Sequence, residues 1–148
     1  MQFSERQVTS EKELHRILLQ GKFVTIALCD RDQPYVVTLS YGLDQAARRL
    51  YLHTARAGHK LEILAVNPTA CGTVILDLGY QEGNCRHLYE SVVIYGSLRL
   101  VESVEEREHA MHVLLRHLEP DPEAAWRRYK LQEEEPWKSG TAERVSLL

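Results

Sequence analysis

A strand passes directly into a helix in the stretch LHTARAGHKL, residues 52–61. The strand ends in hydroxyl and imidazole side chains, the chain turns through small residues, and Gly58, His59 and Lys60 fall in the first helical turn. The first N–H groups of a helix are unpaired and lie at the positive end of its dipole, so they favour an anion. The stretch therefore predicts a phosphate site that lacks the Walker pattern.

Three side chains of this stretch can serve such a site. Lys60 adds a full positive charge, His59 a second one when protonated, and Thr54 a hydroxyl donor. The alternative interpretation is an ordinary helix start with solvated Lys60 and His59.

Strand-like and helical segments surround this stretch. β-Branched and apolar runs predict strands over residues 22–29, 35–41, 49–54, 69–80, 91–101 and 142–148. Helical spacing predicts helices over residues 10–20, 57–66, 103–118 and 122–131. Ser10 with Glu13, and Ser103 with Glu106, form capping boxes. Several strands with two apolar faces and only a few helices predict a mainly β (α+β) fold with a closed or nearly closed barrel.

Composition limits the class of protein. The 148 residues suit a single domain spanning residues 1–148. The chain has 18 basic and 21 acidic residues, and this balance argues against a nucleic-acid partner. No apolar run is long enough for a membrane span, and the polar start does not resemble a signal peptide. Three cysteines without CxxC spacing are typical of a reducing compartment, so we expect a cytoplasmic protein.

A second informative stretch is PYVVTLSYG, residues 34–42. Thr38 and Ser40 share a strand face with Val36. Such a strand can present backbone N–H and C=O groups to a flat heteroaromatic ring. A plain core strand is the alternative.

These two stretches, followed by YESVVIYG at residues 89–96, resemble the FMN-binding split-barrel superfamily typified by pyridoxamine 5′-phosphate oxidase. Within it, the sequence is most similar to the nitroimidazole-resistance (Nim-like) group. The likeness runs from about Ser10 to Glu108. It implies a six-stranded antiparallel split β-barrel of Greek-key topology with flanking helices. It also implies bound FMN in a groove between the two subunits of a homodimer.

The resemblance assigns roles to individual residues. His53 would lie close to the flavin as the candidate catalytic residue, orienting a substrate or donating a proton. The residues expected to line the isoalloxazine ring, largely through backbone groups, are Val37, Thr38, Leu39, Ser40 and Tyr41. The residues expected at the phosphate are Thr54, Gly58, His59 and Lys60, and Ser91 would approach the flavin from the fifth strand.

The sequence departs from the family pattern at three places. Thr38 stands where the Nim-like group usually has proline, and His59 stands where the oxidases favour arginine. An imidazole makes a weaker, pH-sensitive anion contact. The tail at Trp137–Gly140 does not match the substrate segment of the true oxidases, so we do not expect vitamin B6 oxidase activity. The role of residues 132–148 stays open.

The resemblance implies a flavin-dependent oxidoreductase that uses NADH or NADPH and a small nitro-type or other aromatic substrate. A non-catalytic flavin carrier or sensor, and a haem-binding or haem-degrading protein, are the alternatives. His109, His112, His117 and the Cys85–His87 run invite a metal or haem interpretation. No HExxH or paired-cysteine pattern accompanies them, so we predict no metal site.

Overall fold

The computed structural model of the chain describes residues 7–55, 57–133 and 144–147. Its helices are α1 (Glu11–Gln20), α2 (His59–Val66), α3 (Val104–Leu118) and α4 (Pro122–Glu133). Its strands are β1 (Phe23–Asp30), β2 (Gln33–Asp44), β3 (Arg49–His53), β4 (Thr69–Gln81), β5 (Arg86–Leu100) and β6 (Arg144–Leu147). The prediction of a mainly antiparallel β fold with flanking helices is confirmed.

Strands β1 to β5 pair in the order β3-β2-β1-β4-β5, with every pair antiparallel. The backbone of β6 pairs with β3 and with β5. Strand β2 changes partner along its length, because Gln33–Ser40 pairs with β1 and Tyr41–Asp44 with β3. Among the described strands, β2 therefore has one neighbour over Gln33–Ser40, and its second edge is open there.

One core holds the strand-to-helix connection that opened the sequence analysis. Leu52 near the end of β3 is fully buried, and Ile63 in α2 is 3% exposed in the same cluster. Ile17 of α1 and Val24 and Val74 of the sheet complete the centre of that cluster. Because both ends of the connection are anchored in apolar packing, the core sets the positions of residues 53–55 and of residues 57 and 58.

Helix α3 packs on β2 and β3 through a second cluster that contains Tyr51, Met111 and Leu114. The approach is closest at Gly42 in β2. A Cβ atom built there would lie 2.7–2.8 Å from backbone atoms of Val113 and Leu114. Real Cβ contacts are longer than this, so glycine is required for the helix to dock.

Several element bounds differ from the sequence-based predictions. Strand β5 begins at Arg86, five residues before the predicted start, because its polar residues continue the ladder with β4. The Ser10 side chain makes no capping bond at α1, whereas Ser103 Oγ accepts the Glu106 N–H at 3.1 Å. The tail segment at 137–140 lies outside the described residues. No helix in the described part of the chain combines the length and apolarity that a bilayer crossing requires.

The Gly42 contact predicts a difference between two glycine substitutions. In Gly42→Ala, the added Cβ atom would clash with the backbone of α3, which cannot rotate away as a side chain can. We therefore expect the free energy of unfolding to fall by about 1–3 kcal/mol. Gly72→Ala is the matched control, since its two short Cβ contacts are with side-chain atoms of Ile26 and Val24 at 2.9 and 3.2 Å, and the backbone oxygen of Thr25 lies at an ordinary 3.7 Å. Urea unfolding of both variants checks this. A Gly72→Ala loss equal to or larger than that of Gly42→Ala would contradict the argument.

Candidate functional site

The N-terminus of α2 combines an uncapped helix end with a positive charge. Gly58 has φ 125° and ψ 163°, a conformation that favours glycine, and makes no side-chain capping bond. A Cβ atom at Gly58 would lie 3.6 Å from Lys60 Nζ, so the ammonium group lies over this turn. The first N–H groups of the helix and the Lys60 charge therefore face the same small region, as an anion site requires.

Thr54 supplies an independent sign of a missing polar partner. The residue is 4% exposed, and its Oγ1 has no hydrogen-bond partner in the described part of the chain. Leaving a buried hydroxyl unpaired costs about 1–3 kcal/mol, so such groups are rare and usually mark a missing ligand or water. Thr54 lies between β3 and α2, where the sequence predicts the phosphate. Gly58 and Lys60 thus fit a phosphate group, and Thr54, four residues before Gly58, has an unpartnered hydroxyl.

His59 faces acidic side chains. Its Nε2 lies 3.1 Å from Asp30 Oδ2, and its Nδ1 lies 3.0 Å from Glu62 Oε2. The ring also meets Tyr35 edge-on, with 5.3 Å between centroids. The Glu62 hydrogen bond, followed by the Asp30 charge, raises the pKa of His59. Both ring nitrogens are engaged by carboxylates, so the role of His59 at the phosphate stays a prediction.

The His59 contacts predict a titration that two substitutions separate. Glu62→Gln should lower the His59 pKa more than Asp30→Asn, because the Glu62 hydrogen bond is the larger cause of the raised value. NMR titration of the imidazole measures this directly. The stabilisation from protonated His59 is fully present below its unfolded-state pKa and is lost as pH rises through the raised folded-state pKa. An unchanged His59 pKa in Glu62→Gln would show that the two side chains do not pair in solution.

The predicted ring-lining residues of β2 lie on two faces. Thr38 and Ser40 are exposed, whereas Val37 and Leu39 are half-buried and pack against the core. Tyr41 is fully buried, and its hydroxyl donates to Leu18 O at 2.5 Å. Burial raises the pKa of this phenol. The Tyr41 ring belongs to the core, and its backbone pairs with Leu52 of β3. Among the five predicted ring-lining residues, those on the open edge of β2 are therefore Val37 to Ser40.

Ser91 lies on the same exposed sheet face as Thr38 and Ser40. Thr38, Thr25, Thr73 and Val93 form one row across β2, β1, β4 and β5, and Ser40 and Ser91 belong to the next row in the same direction. Three strand spacings separate Ser40 from Ser91, roughly 14 Å. The structure therefore places the two serines on one face without bringing them together.

His53 and Thr54 leave β3 on opposite sides. Thr54 is buried, whereas His53 is exposed and lies opposite Arg144 of β6 in the strand register. Successive side chains of a strand point to opposite faces, so the Thr54 hydroxyl lies towards the interior and the His53 imidazole towards solvent.

The sequence predicts strands with two apolar faces, but it does not specify which apolar side chains stay exposed on the sheet. We use the name outer sheet face for the exposed side of β2, β1, β4 and β5. Its large apolar side chains are Phe23, Val36, Ile75, Val93 and Tyr95, which are 48–79% exposed. Their alternation with buried residues of the same strands is the signal that could have shown it.

The histidines that invited a metal interpretation have separate partners. His109 Nε2 lies 2.6 Å from Asp44 Oδ2, His112 stacks on Trp126 at 3.8 Å, and His117 Nε2 lies 2.6 Å from Gly21 O. Burial lowers the pKa of His117. The described residues contain no group of three or more His, Cys, Asp or Glu side chains that could hold a metal ion.

Comparison with known proteins agrees with this geometry. The family model described as pyridoxamine 5′-phosphate oxidase matches residues 10–144. A candidate 5-nitroimidazole antibiotic resistance protein from Bacteroides thetaiotaomicron has a similar structure, with TM-score 0.70, 23% identity, and coverage of 95% of this chain and 80% of that one. An FAD-binding protein from Mesorhizobium loti gives TM-score 0.60, 22% identity, and coverage of 94% and 87%. The FAD and heme binding protein from Mycobacterium smegmatis gives TM-score 0.71 and 18% identity, with coverage of 95% of this chain and 66% of that one. A search of curated proteins gives no significant match.

Proposed function

Because the chain belongs to the pyridoxamine 5′-phosphate oxidase family, we propose that it is an FMN-dependent oxidoreductase that works as a homodimer on small nitro-type aromatic acceptors. The observation that carries this proposal is the uncapped helix end that bears Lys60, preceded four residues before Gly58 by the unpartnered, buried hydroxyl of Thr54. The structural likeness to proteins named for FAD binding and for nitroimidazole resistance supports it.

The chain's own residues suggest how the cofactor is held. Lys60, the first N–H groups of α2 and the Thr54 hydroxyl bind the phosphate, and together they place one charge and several donors around it. The open edge of β2 from Val37 to Ser40 offers backbone groups to the ring. Bound FMN supplies hydride transfer between an NADH or NADPH donor and the acceptor.

His53 is the proposed proton donor to the substrate. It is exposed at the end of β3, on the opposite side of the strand from Thr54, and its role beside the flavin is the one that the family resemblance implies. An imidazole titrates near neutral pH and can therefore deliver a proton to a reduced acceptor.

The six strands are proposed to close as the split barrel of the family. Strand β1 pairs with β4 at one side, and β6 pairs with both β3 and β5 at the other, which supports a closed strand order β1-β2-β3-β6-β5-β4. The partner changes along β2 and β5 supply the corners of such a barrel.

The outer sheet face is the proposed subunit interface. Its five large apolar side chains are each about half exposed or more, and soluble monomers seldom leave such a contiguous set in water. Because Ser40 and Ser91 lie three strands apart on this face, a two-fold dimer brings Ser91 of the partner subunit towards β2 of the first.

The phosphate assignment predicts that one lysine distinguishes FMN from riboflavin. Lys60→Gln should weaken FMN binding roughly tenfold or more and leave riboflavin binding unchanged, because a hydrogen bond to a charged group contributes about 1.5–3 kcal/mol. Lys12→Gln is the control, since Lys12 also occupies the second position of a helix, α1. Flavin fluorescence titration measures both. Equal losses for FMN and riboflavin, or no FMN binding by the unaltered protein, would refute the assignment.

The His53 assignment predicts a loss of turnover without a loss of cofactor. In His53→Ala, kcat for NADPH-driven reduction of a nitroaromatic acceptor should fall at least tenfold, since general acid catalysis contributes about 10²–10⁴-fold. The Kd for FMN should stay the same. Normal turnover would remove His53 from the mechanism, and an FMN-loaded protein that oxidises neither NADH nor NADPH would favour the flavin carrier.

The interface assignment predicts a change of oligomeric state. Val93→Asp puts a charge in the middle of the outer sheet face, so light scattering should show a monomer where the unaltered chain is a dimer. Val104→Asp is the matched control, because Val104 is 60% exposed at the start of α3, on a separate element. A Val93→Asp dimer as stable as the control would place the interface elsewhere.

A further inference from the structure

The β4–β5 hairpin extends beyond the core. Every residue from Asp77 to Tyr89 is exposed, whereas Leu76 and Glu90 just before and after are half-buried. We call residues 77–89 the arm. A two-stranded ribbon is marginally stable in water, and this one carries Leu78, Tyr80 and Tyr89 at 56%, 56% and 61% exposure.

One face of the arm continues the outer sheet face. Asp77 lies opposite Tyr89, and a register shift in β4 then brings Tyr80 opposite His87. His87, Tyr89 and Ser91 alternate along β5, so they point to the same side. His87 Nε2 lies 2.8 Å from Asp77 Oδ1, and its ring centroid is 6.2 Å from that of Tyr80, which agrees with one shared face.

This face presents a chemically defined surface. Asp77 holds the imidazole of His87 and also accepts the Gly79 N–H at 2.7 Å, so the His87 ring is oriented within the arm. Tyr80 and Tyr89 add two planar apolar rings. Planar rings around an oriented imidazole suit a flat aromatic ligand that also carries a hydrogen-bonding group. In a single subunit this surface is open, so a second wall has to come from another molecule.

The area of the exposed face points to a second copy of the chain. The outer sheet face alone presents roughly 600 Å² of large apolar side chains, which is less than the ~800 Å² that each partner buries in a standard interface. Tyr80 and Tyr89, the large apolar arm residues on this face, add roughly 250 Å² and bring the total to that size. The arm and the outer sheet face are also continuous, because both lie on β4 and β5.

We propose that the arm of each subunit forms one wall of the partner subunit's substrate site, where His87 and Tyr89 bind the flat aromatic acceptor. This inference rests on the proposed flavin-binding homodimer. His87 lies four residues from Ser91 along β5, roughly 13 Å, so an arm that crosses the interface covers the region next to the flavin. His87 is a specificity-determining residue that binds the substrate and does not hold the cofactor.

The first test separates substrate binding from cofactor binding. His87→Ala should raise the KM for 2-nitroimidazole at least fivefold, while the Kd for FMN and the dimer mass stay the same. His109→Ala is the matched control, because both imidazoles are 53% exposed and both pair with an aspartate, Asp44 in the case of His109. An unchanged KM in His87→Ala, or an equal change in His109→Ala, would overturn the proposal.

The second test asks whether the arm acts on the partner's site. Lys60→Gln and His87→Ala subunits are mixed and allowed to exchange, and reduction of 2-nitroimidazole is measured at low FMN and low substrate. If the arm acts in trans, each mixed dimer has one site with both residues intact, so about a quarter of all sites recover unaltered activity. Activity equal to the average of the two separate variants would place the arm in its own subunit's site and overturn the proposal.

The same experiment distinguishes the two levels of inference. If the unaltered protein binds no FMN, the proposed function fails and the inference about the arm fails with it. If the unaltered protein binds FMN and Lys60→Gln weakens that binding, but mixing the two variants restores no activity, the proposed function stands. The inference about the arm alone is then wrong.

Discussion

The burial of Leu52 and Ile63 in one core is the constraint on which the rest of the candidate site depends. Leu52 is near the end of β3 and Ile63 lies in α2, so the connection between them cannot shift without opening the core. That connection carries Thr54 inward and ends at Gly58, whose φ of 125° turns the chain into the helix. In the proposed phosphate site, apolar packing orients the helix end and the hydroxyl, and Lys60 supplies the charge.

The same core explains the exposed surface on the other side of the sheet. Strands that place Val24, Ile26 and Val74 inside must place the alternate residues outside, and here many of those are apolar. Helix α3 covers β2 and β3 through the cluster around Leu114, while α1 contacts β4 and β5 from the core side. Among the described elements, none covers the outer sheet face. The proposed second subunit would cover the apolar side chains of that face, and it would bring Ser91 of the partner subunit towards Ser40.

The two basic side chains at the N-terminus of α2 have different surroundings. His59 lies between Asp30 and Glu62, so its positive charge is compensated within the protein. Lys60 is then the cation that the α2 terminus offers, next to N–H groups without a capping side chain. In the proposed phosphate site, the anion contact therefore rests, among the described residues, on Lys60 and the Thr54 hydroxyl.

Local patterns in the sequence predicted most of the element positions and the Ser103 cap, because hydrophobic period and capping chemistry act over a few residues. The His59–Glu62 pair was also within reach of sequence, since the two residues are three apart on a helix. The long-range contacts were not. The Asp30–His59 pair, the burial of Tyr41 and Thr54, the Gly42 contact with α3 and the arm all depend on which strands and helices lie side by side. The family resemblance proposed residues for the site, but only tertiary packing decided which of their polar groups are buried, paired or open to a ligand, because solvent access is a property of neighbours that are distant in sequence.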